Sequence, residues 1–234
     1  MINVDTVLKE GELVVTGRLV DASNATLLAH SSLNGTSVKC IYKPVAGERP
    51  LWDFPDGNLA NREYAAYVIS EALGFHIVPL TILRDGPFGM GMVQEWIEID
   101  SDVDLANFFG SDHSQLRAMA LFDAVINNTD RKIGHLLPRS DGKVFGCDHG
   151  VTFHKEFKLR TVLWQWAGDS ISSEEKRVLQ GLLAKLEGQE LQFLTELITT
   201  EEYEALIWRI KKLISDNSFP TPSPDWPAIP WPAF

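Results

Sequence analysis

Two aspartates bracket a short hairpin in the segment NNTDRKIGHLLPRSDGKVFGCDHGVTF, residues 127–153. Asp130 lies in an Asn/Asp-rich loop after an apolar run, and Asp148 arrives beyond an Asp-Gly turn, just before His149 and Gly150. Moving a phosphoryl group from a nucleotide asks for positive charge on the phosphates, oxygen ligands for a divalent metal and a group that orients the attacking hydroxyl. In this layout Asp130 would meet the acceptor hydroxyl as orienting base, and Asp148 would ligate the metal bridging the phosphates. The positive charge has a candidate upstream. Lys43, at the end of TSVKCIYKP, would reach the phosphates from its strand, and Glu63 in ANREYAAYVISEAL is placed to hold it by an ion pair. Singly, a loop Asp is ordinarily a turn residue and a strand-end Lys is solvated. Their order along the chain is what points to a site.

Such a site needs elements to position it. From Glu12 to Pro44, three β-favouring runs, ELVVTGRLV, ATLLAHSSL and TSVKCIYKP, alternate with the turn-rich DASN and NGT, which predicts three antiparallel strands. RPLWDFPDGNL breaks the regularity. Ala60 to Leu73 then carries apolar residues at helical spacing until Gly74. HIVPLTILRDG and GMGMVQEWIE predict two further strands joined through Gly86, Gly89 and Gly91. Beyond Asp100 helices dominate, at LANFF, from Ser114 to Asn127, after a cap at Ser172 or Ser173, and after a cap at Thr200. The reading is an α+β, two-lobed protein-kinase-like fold. Residues 1–97 form a nucleotide-binding N-lobe of antiparallel sheet plus one helix, and residues 98–234 a mainly helical C-lobe with the catalytic and metal-binding loops. The tail 219–234, FPTPSPDWPAIPWPAF, is too rich in proline for helix or central strand and should be extended, with Trp226 and Trp231 packed on the body.

Composition narrows the partners. A chain of 234 residues with 44% hydrophobic residues can bury one core or two lobes sharing a cleft. Its formal net charge of −11 argues against adhesion to nucleic acid or an anionic membrane surface. The only cysteines, Cys40 and Cys147, form no CxxC or Cys/His ligand spacing, so reduced thiols in a cytoplasm are the simpler expectation. No signal-peptide pattern opens the sequence and no stretch is apolar for about 18 residues, so no transmembrane segment is expected. One basic exception follows Asp148: FHKEFKLRT carries Lys155, Lys158 and Arg160, either a grip for an anionic acceptor or a solvated charge run.

The segments YKPVAGERPLWDFPDGNLANREYAAYVISEALG, VPLTILRDGPFGMGMVQEW, NNTDRKIGHLL and CDHGVTF together resemble the phosphatidylinositol 3- and 4-kinase-like fold. That fold includes HipA-type kinases and a group of actinobacterial lipid-kinase-like proteins. The resemblance implies ATP with Mg²⁺ or Mn²⁺ as cofactors. Lys43 would be the ATP-phosphate lysine, Glu63 its helix partner, Asp130 the catalytic-loop Asp and Asp148 the metal-binding Asp of the Asp-Phe-Gly equivalent. Ser23 and Asn24 of DASNAT would cover the phosphates, and Gln94, Glu95 and Trp96 would form the hinge offering backbone groups to adenine. One departure stands out. Where kinases usually place a metal-binding Asn, five residues after the catalytic Asp, this chain has His135, either a metal ligand or a neutral, hydrogen-bonded loop histidine. The implied activity is transfer of the γ-phosphate of ATP to a hydroxyl of a small molecule, a lipid headgroup or a protein. Nucleotidyl (AMP) transfer and a nucleotide-binding pseudokinase scaffold are the alternatives on the same residues.

Overall fold

Upstream of Trp96 the alternating runs become one antiparallel sheet, in a computed structural model that describes residues 3–19 and 24–234. Its strands are β1 (Glu12–Arg18), β2 (Leu27–Leu33), β3 (Thr36–Pro44), β4 (Thr81–Gly86) and β5 (Gly89–Glu95), in the order β1-β2-β3-β5-β4. The β2–β3 hairpin turns on Asn34 and Gly35, both at positive φ (48° and 81°), as a two-residue turn matched to strand twist requires. Side chains alternate across β3. Cys40 and Tyr42, both 0% exposed, point into a cluster with Leu8, Leu13 and Val93, so Lys43 points to the opposite face.

A helix that the sequence pattern does not announce, α1 (Val4–Glu10), lies against this sheet. Seven residues are too few for helical periodicity to show, and so short a helix survives only through tertiary contacts. Ser31 Oγ donates to Val7 O (2.6 Å), and Arg84 Nη1 donates to Leu8 O (2.5 Å) and Gly11 O (3.0 Å), satisfying carbonyls at its C-terminal end. The next helix, α2 (Leu59–Leu73), starts at Asn58, whose side chain accepts from Asn61 N, and stops at Gly74 in the left-handed region (φ 72°).

The remainder is built from α3 (Leu105–Phe108), α4 (Ser114–Ile126), a small hairpin of β6 (Leu136–Pro138) and β7 (Val144–Gly146), α5 (Ser173–Glu187) and α6 (Thr200–Asp216). Ser172 caps α5 in a reciprocal capping box with Glu175. The cap of α6 is Thr199 rather than Thr200: its hydroxyl accepts from Glu202 N and the Glu202 carboxylate returns to Thr199 N, a reciprocity available only at that spacing. Leu121, Phe122 and Ile126 of α4 meet Leu179 and Leu182 of α5 and Leu206 and Ile210 of α6, all 0% exposed. Each such side chain contributes about 1.5–3 kcal/mol by burial, so this packing fixes where the loop leaving α4 begins. The proposed lobe division after residue 97 falls between β5 and α3.

The tail has no regular secondary structure beyond Asp216 but is hydrogen-bonded to the body. Ala228 O accepts from Thr161 N (3.1 Å) and Trp164 Nε1 (2.9 Å), and Ala233 O accepts from Ile133 N (2.9 Å). Trp226 is half-buried, as expected, but Trp231 is 93% exposed because only the backbone on either side of it is tied down. Among the described residues, no helix is long and apolar enough to cross a membrane.

Candidate active site

The loop after α4 is shaped by its own polar side chains. Asn127 ends the helix in the left-handed region (φ 52°) and its amide donates to His154 O (2.8 Å) and Glu156 O (2.6 Å). Asn128 donates to Asp123 Oδ1 (2.9 Å) and accepts from Asp130 N (3.0 Å), which sets the direction of Asp130. Across the loop, Asp148 follows β7 at positive φ (64°), a conformation that costs a non-glycine residue energy and is tolerated best by Asp and Asn.

A cavity of about 660 Å³ opens between these elements, lined by Asn24, Lys43, Glu63, Asp130, His135 and Asp148 among others. Its size falls within the usual range of ligand sites, roughly 300–1,000 Å³. Lys43 Nζ lies 2.6 Å from Glu63 Oε1 and 2.7 Å from Asp148 Oδ1, so one ammonium joins β3, α2 and the segment after β7. Glu63 also accepts from His149 N through Oε2 (2.9 Å). Burial disfavours the Lys43 ammonium, but the charges of Asp148 and Glu63 outweigh it and hold its pKa above the ordinary lysine value. In return the Lys43 ammonium holds the Asp148 carboxyl well below the usual carboxylate range, with His135 adding to the shift. Burial raises Asp130 above its ordinary value, and Lys132 Nζ, 3.3 Å away, pulls the other way. A carboxylate raised in this way is the stronger base.

His135 faces Asp148, with Nε2 3.4 Å from Oδ2, and its Nδ1 accepts from Lys132 N at 3.4 Å. A neutral imidazole that accepts at Nδ1 carries its proton on Nε2, so it donates toward Asp148. Metal ligation through Nε2 would need the other tautomer, turning Nδ1–H against an amide N–H. Of the two sequence readings this geometry favours the hydrogen-bonded loop histidine, and burial pushes its pKa down to about 4, keeping it neutral. Burial also pushes the Cys147 thiol up to about 12, which removes it as a thiolate ligand. Among the described residues, no group of three or more His, Cys, Asp or Glu is gathered to hold a metal. Asp148, its side chain 53% exposed, is the carboxylate that could hold a hard oxygen-seeking cation at this cavity.

The other expected contacts divide. Asn24 lines the cavity, where its side chain accepts from Arg49 N (2.9 Å). Ser23 lies outside the described residues. Gln94, Glu95 and Trp96 are not among the residues that line the cavity. Gln94 is 5% exposed with its amide on Thr81 Oγ1 (2.8 Å), while Glu95 N donates to Leu80 O (2.9 Å) and Trp96 N to Lys39 O (3.0 Å). The amides of Glu95 and Trp96, two of the backbone groups expected to meet adenine, are therefore engaged within the chain. The basic loop is also redirected. Lys158 is 7% exposed, with Nζ over the rings of Trp52 (5.3 Å) and Trp226 (4.9 Å), and Arg160 lies over Trp226 (5.3 Å) with Nε on Thr129 O (2.7 Å). Lys158 supports the rings from behind, Arg160 itself lines the cavity while stacked on Trp226, and Lys155 fits the solvated reading.

Sequence reasoning misses the support beneath the loop. Arg131 and Asp123, both side chains 0% exposed, pair through Nη2–Oδ1 (2.8 Å) and Nε–Oδ2 (3.0 Å). Arg131 also donates to Cys147 O (3.1 Å) and to His149 Nε2 (2.7 Å), joining both aspartate-bearing segments. Arg62 ties α2 to the rest by donating to Thr152 O (2.8 Å) and pairing with Glu202 Oε1 (2.8 Å). Glu48 accepts from Leu59 N (2.8 Å) and Ala60 N (2.9 Å), fixing the start of the helix that carries Glu63. An Arg directly after Asp130 was a visible signal, but its partners lie on other elements.

No protein-family model matches the chain. Hydra Fam20, in a structure with sugar, superposes with a TM-score of 0.57 at 12% identity, over 91% of this chain and 86% of that one. The Golgi casein kinase with Mn and ADP bound superposes with a TM-score of 0.55 at 13% identity, over 89% and 73%. At such identities the likeness establishes the fold, which is protein-kinase-like. Protein Rv2133c of Mycobacterium tuberculosis is 44% identical over 263 aligned residues that take in 97% of this chain and 94% of that protein. Coverage and identity of that order, over nearly the whole of both chains, place this protein in the same family as Rv2133c.

Proposed function

We propose that this chain is an ATP-dependent phosphotransferase that moves the γ-phosphate to a hydroxyl acceptor. The observation that carries the reading is the ion-paired Lys43, held between Glu63 and Asp148 on the wall of a cavity that Asp130 also lines. Lys43 would bind phosphate oxygens, Asp148 would hold a divalent cation on them, and Asp130 would take the acceptor's proton. Bound metal would supply neutralisation of the charge that develops on the transferred phosphoryl group. His135, donating to Asp148, would keep that carboxylate aimed and ionised. The Golgi casein kinase of this fold has been solved with Mn and ADP bound, which supports a nucleotide and a divalent cation as ligands here. Within the fold we assign the chain to the phosphatidylinositol 3-/4-kinase-like and HipA-like branch, on the motif residues quoted above, and place it in the cytoplasm, where ATP is abundant and Cys40 and Cys147 would stay reduced.

The test is a thermal-shift titration of the full chain with ATP and MnCl₂ or MgCl₂, followed by assay of ADP release and of label transfer from γ-labelled ATP. Stabilisation that needs both nucleotide and metal, together with ADP formation, is expected. Binding without turnover would make the chain a scaffold, and AMP on the acceptor would make it a nucleotidyl transferase.

A further inference from the structure

Besides Lys43 and Asp148, the cavity has a lining of a different character. Trp226, Trp231 and Phe234 of the tail contribute to it together with Trp52 from the loop before α2, and Trp52, Trp231 and Phe234 are 82%, 93% and 65% exposed. This wall is anchored beside Asp130, because the tail backbone accepts from Ile133 N in the same loop and from Thr161 N and Trp164 Nε1 below it. Lys158 and Arg160 sit over the Trp226 ring, and Lys158 over Trp52 as well. The ring contacts hold Lys158 behind the wall and Arg160 at its edge, and the exposed aromatic side chains are what the wall presents to solvent.

We infer that this aromatic wall is the acceptor subsite and that the acceptor is a sugar ring, phosphorylated on a hydroxyl. The inference rests on the phosphotransfer reading above. An indole face is electron-rich and attracts the slightly positive C–H face of a saturated ring, while the ring's edge keeps its hydroxyls free for polar partners. Asp53, Asp130, Lys132 and Arg49, all lining the same cavity, supply those partners. A membrane lipid is a poorer match for a chain of net charge −11, which lacks the basic surface that holds a protein on an anionic bilayer. In the transfer, Asp130 takes the proton of the sugar hydroxyl. The hydroxyl oxygen bonds to the γ-phosphorus, the bond from that phosphorus to the β–γ bridging oxygen breaks, and its electron pair leaves with ADP.

The experiment measures ADP release by the full chain with ATP and MnCl₂, in the presence of methyl glycosides of common hexoses and pentoses, of acyclic sorbitol and glycerol, and of a Ser/Thr peptide. A methyl glycoside should raise ADP release above the buffer rate and become labelled from γ-labelled ATP, while sorbitol, glycerol and the peptide should not. Trp231→Ala, at a position too exposed to hold the fold together, should raise the KM for that glycoside about tenfold, the loss of one stacking face, and move the KM for ATP less than about twofold. Trp231→Phe should recover most of that loss. ATP hydrolysis unaffected by every glycoside, labelling of the peptide or acyclic polyols instead, or a Trp231→Ala effect equal on both KM values would overturn the inference and leave phosphotransfer standing. No stabilisation by ATP and Mn²⁺, with no ADP from any mixture, would bring down both.

Discussion

Replacing Asp123 with Ala removes the carboxylate beneath the loop that carries Asp130 and tests whether the Arg131 hub holds that loop. Both partners are 0% exposed, and Asp123 accepts from Arg131 Nε (3.0 Å) and Nη2 (2.8 Å), Asn128 Nδ2 (2.9 Å) and Thr161 Oγ1 (3.3 Å). The variant leaves a guanidinium in the interior with only Cys147 O and His149 Nε2 as partners. Breaking a buried pair from one side costs about 3–5 kcal/mol, a large part of the roughly 5–15 kcal/mol that ordinarily separates folded from unfolded chains. At about 2–4 °C per kcal/mol for a chain of this size, Tm should fall by roughly 6–20 °C. The double variant Asp123→Ala/Arg131→Met removes the stranded charge and should regain about 1–2 kcal/mol over the single variant, because the larger part of the loss is the unpaired cation rather than the lost bond. Urea denaturation at pH 7.5, with m-values compared to confirm a common two-state transition, reads all three proteins. A single-variant loss below about 1 kcal/mol, or a double variant no more stable than the single, would refute the hub as described.

Lys43→Met should weaken the thermal stabilisation given by ATP and Mn²⁺, read as the shift above the variant's own nucleotide-free Tm, which itself falls because the buried Glu63 carboxylate loses its cation; unchanged nucleotide stabilisation and turnover would remove Lys43 from the site. Asp130→Asn should lower turnover by about 10²–10⁴-fold, the usual worth of a general base, and spare ATP binding measured by the same titration, whereas Asp148→Asn should lose both. In metal-free buffer, His135 makes stability depend on pH. Its folded pKa of about 4 lies below the unfolded value of about 6.5, so between them the unfolded chain binds the extra proton, and stability falls on acidification through that window by about 3 kcal/mol. His149, also lowered by burial, adds to the same slope, and His135→Asn should remove its own share in denaturation curves at pH 7.5 and 5.0. The acid limb of activity near 6.5 that a ligating histidine would give is not expected, and His135→Asn should leave the ratio of rates in Mn²⁺ and Mg²⁺ unchanged; a shift of that ratio toward Mg²⁺ would return His135 to the metal shell.

The sequence by itself determined the elements whose signals are local. Strand alternation, the Asn34–Gly35 turn, the Gly74 stop and a cap at Ser172 or Ser173 each depend on interactions within a few residues, and together they laid out a sheet, a helix and two aspartate-bearing loops in order. The nomination of Lys43, Glu63, Asp130 and Asp148 needed only that order. Tertiary structure decided what could not be written in spacing. Lys43 and Asp148 are 105 residues apart and Glu63 and His149 86 apart, so their contacts exist only once the sheet and the helices dock. The same holds for the Arg131 hub, for α1, which is stable only against the sheet, and for a proline-rich tail whose composition forbids helix but says nothing of the surface it will cross. Gln94, Glu95 and Trp96 show the converse. At the end of β5 and just beyond it they were expected to offer backbone groups to adenine, but a backbone N–H takes whichever acceptor the folded chain brings nearest, and Leu80 and Lys39 supply it for Glu95 and Trp96.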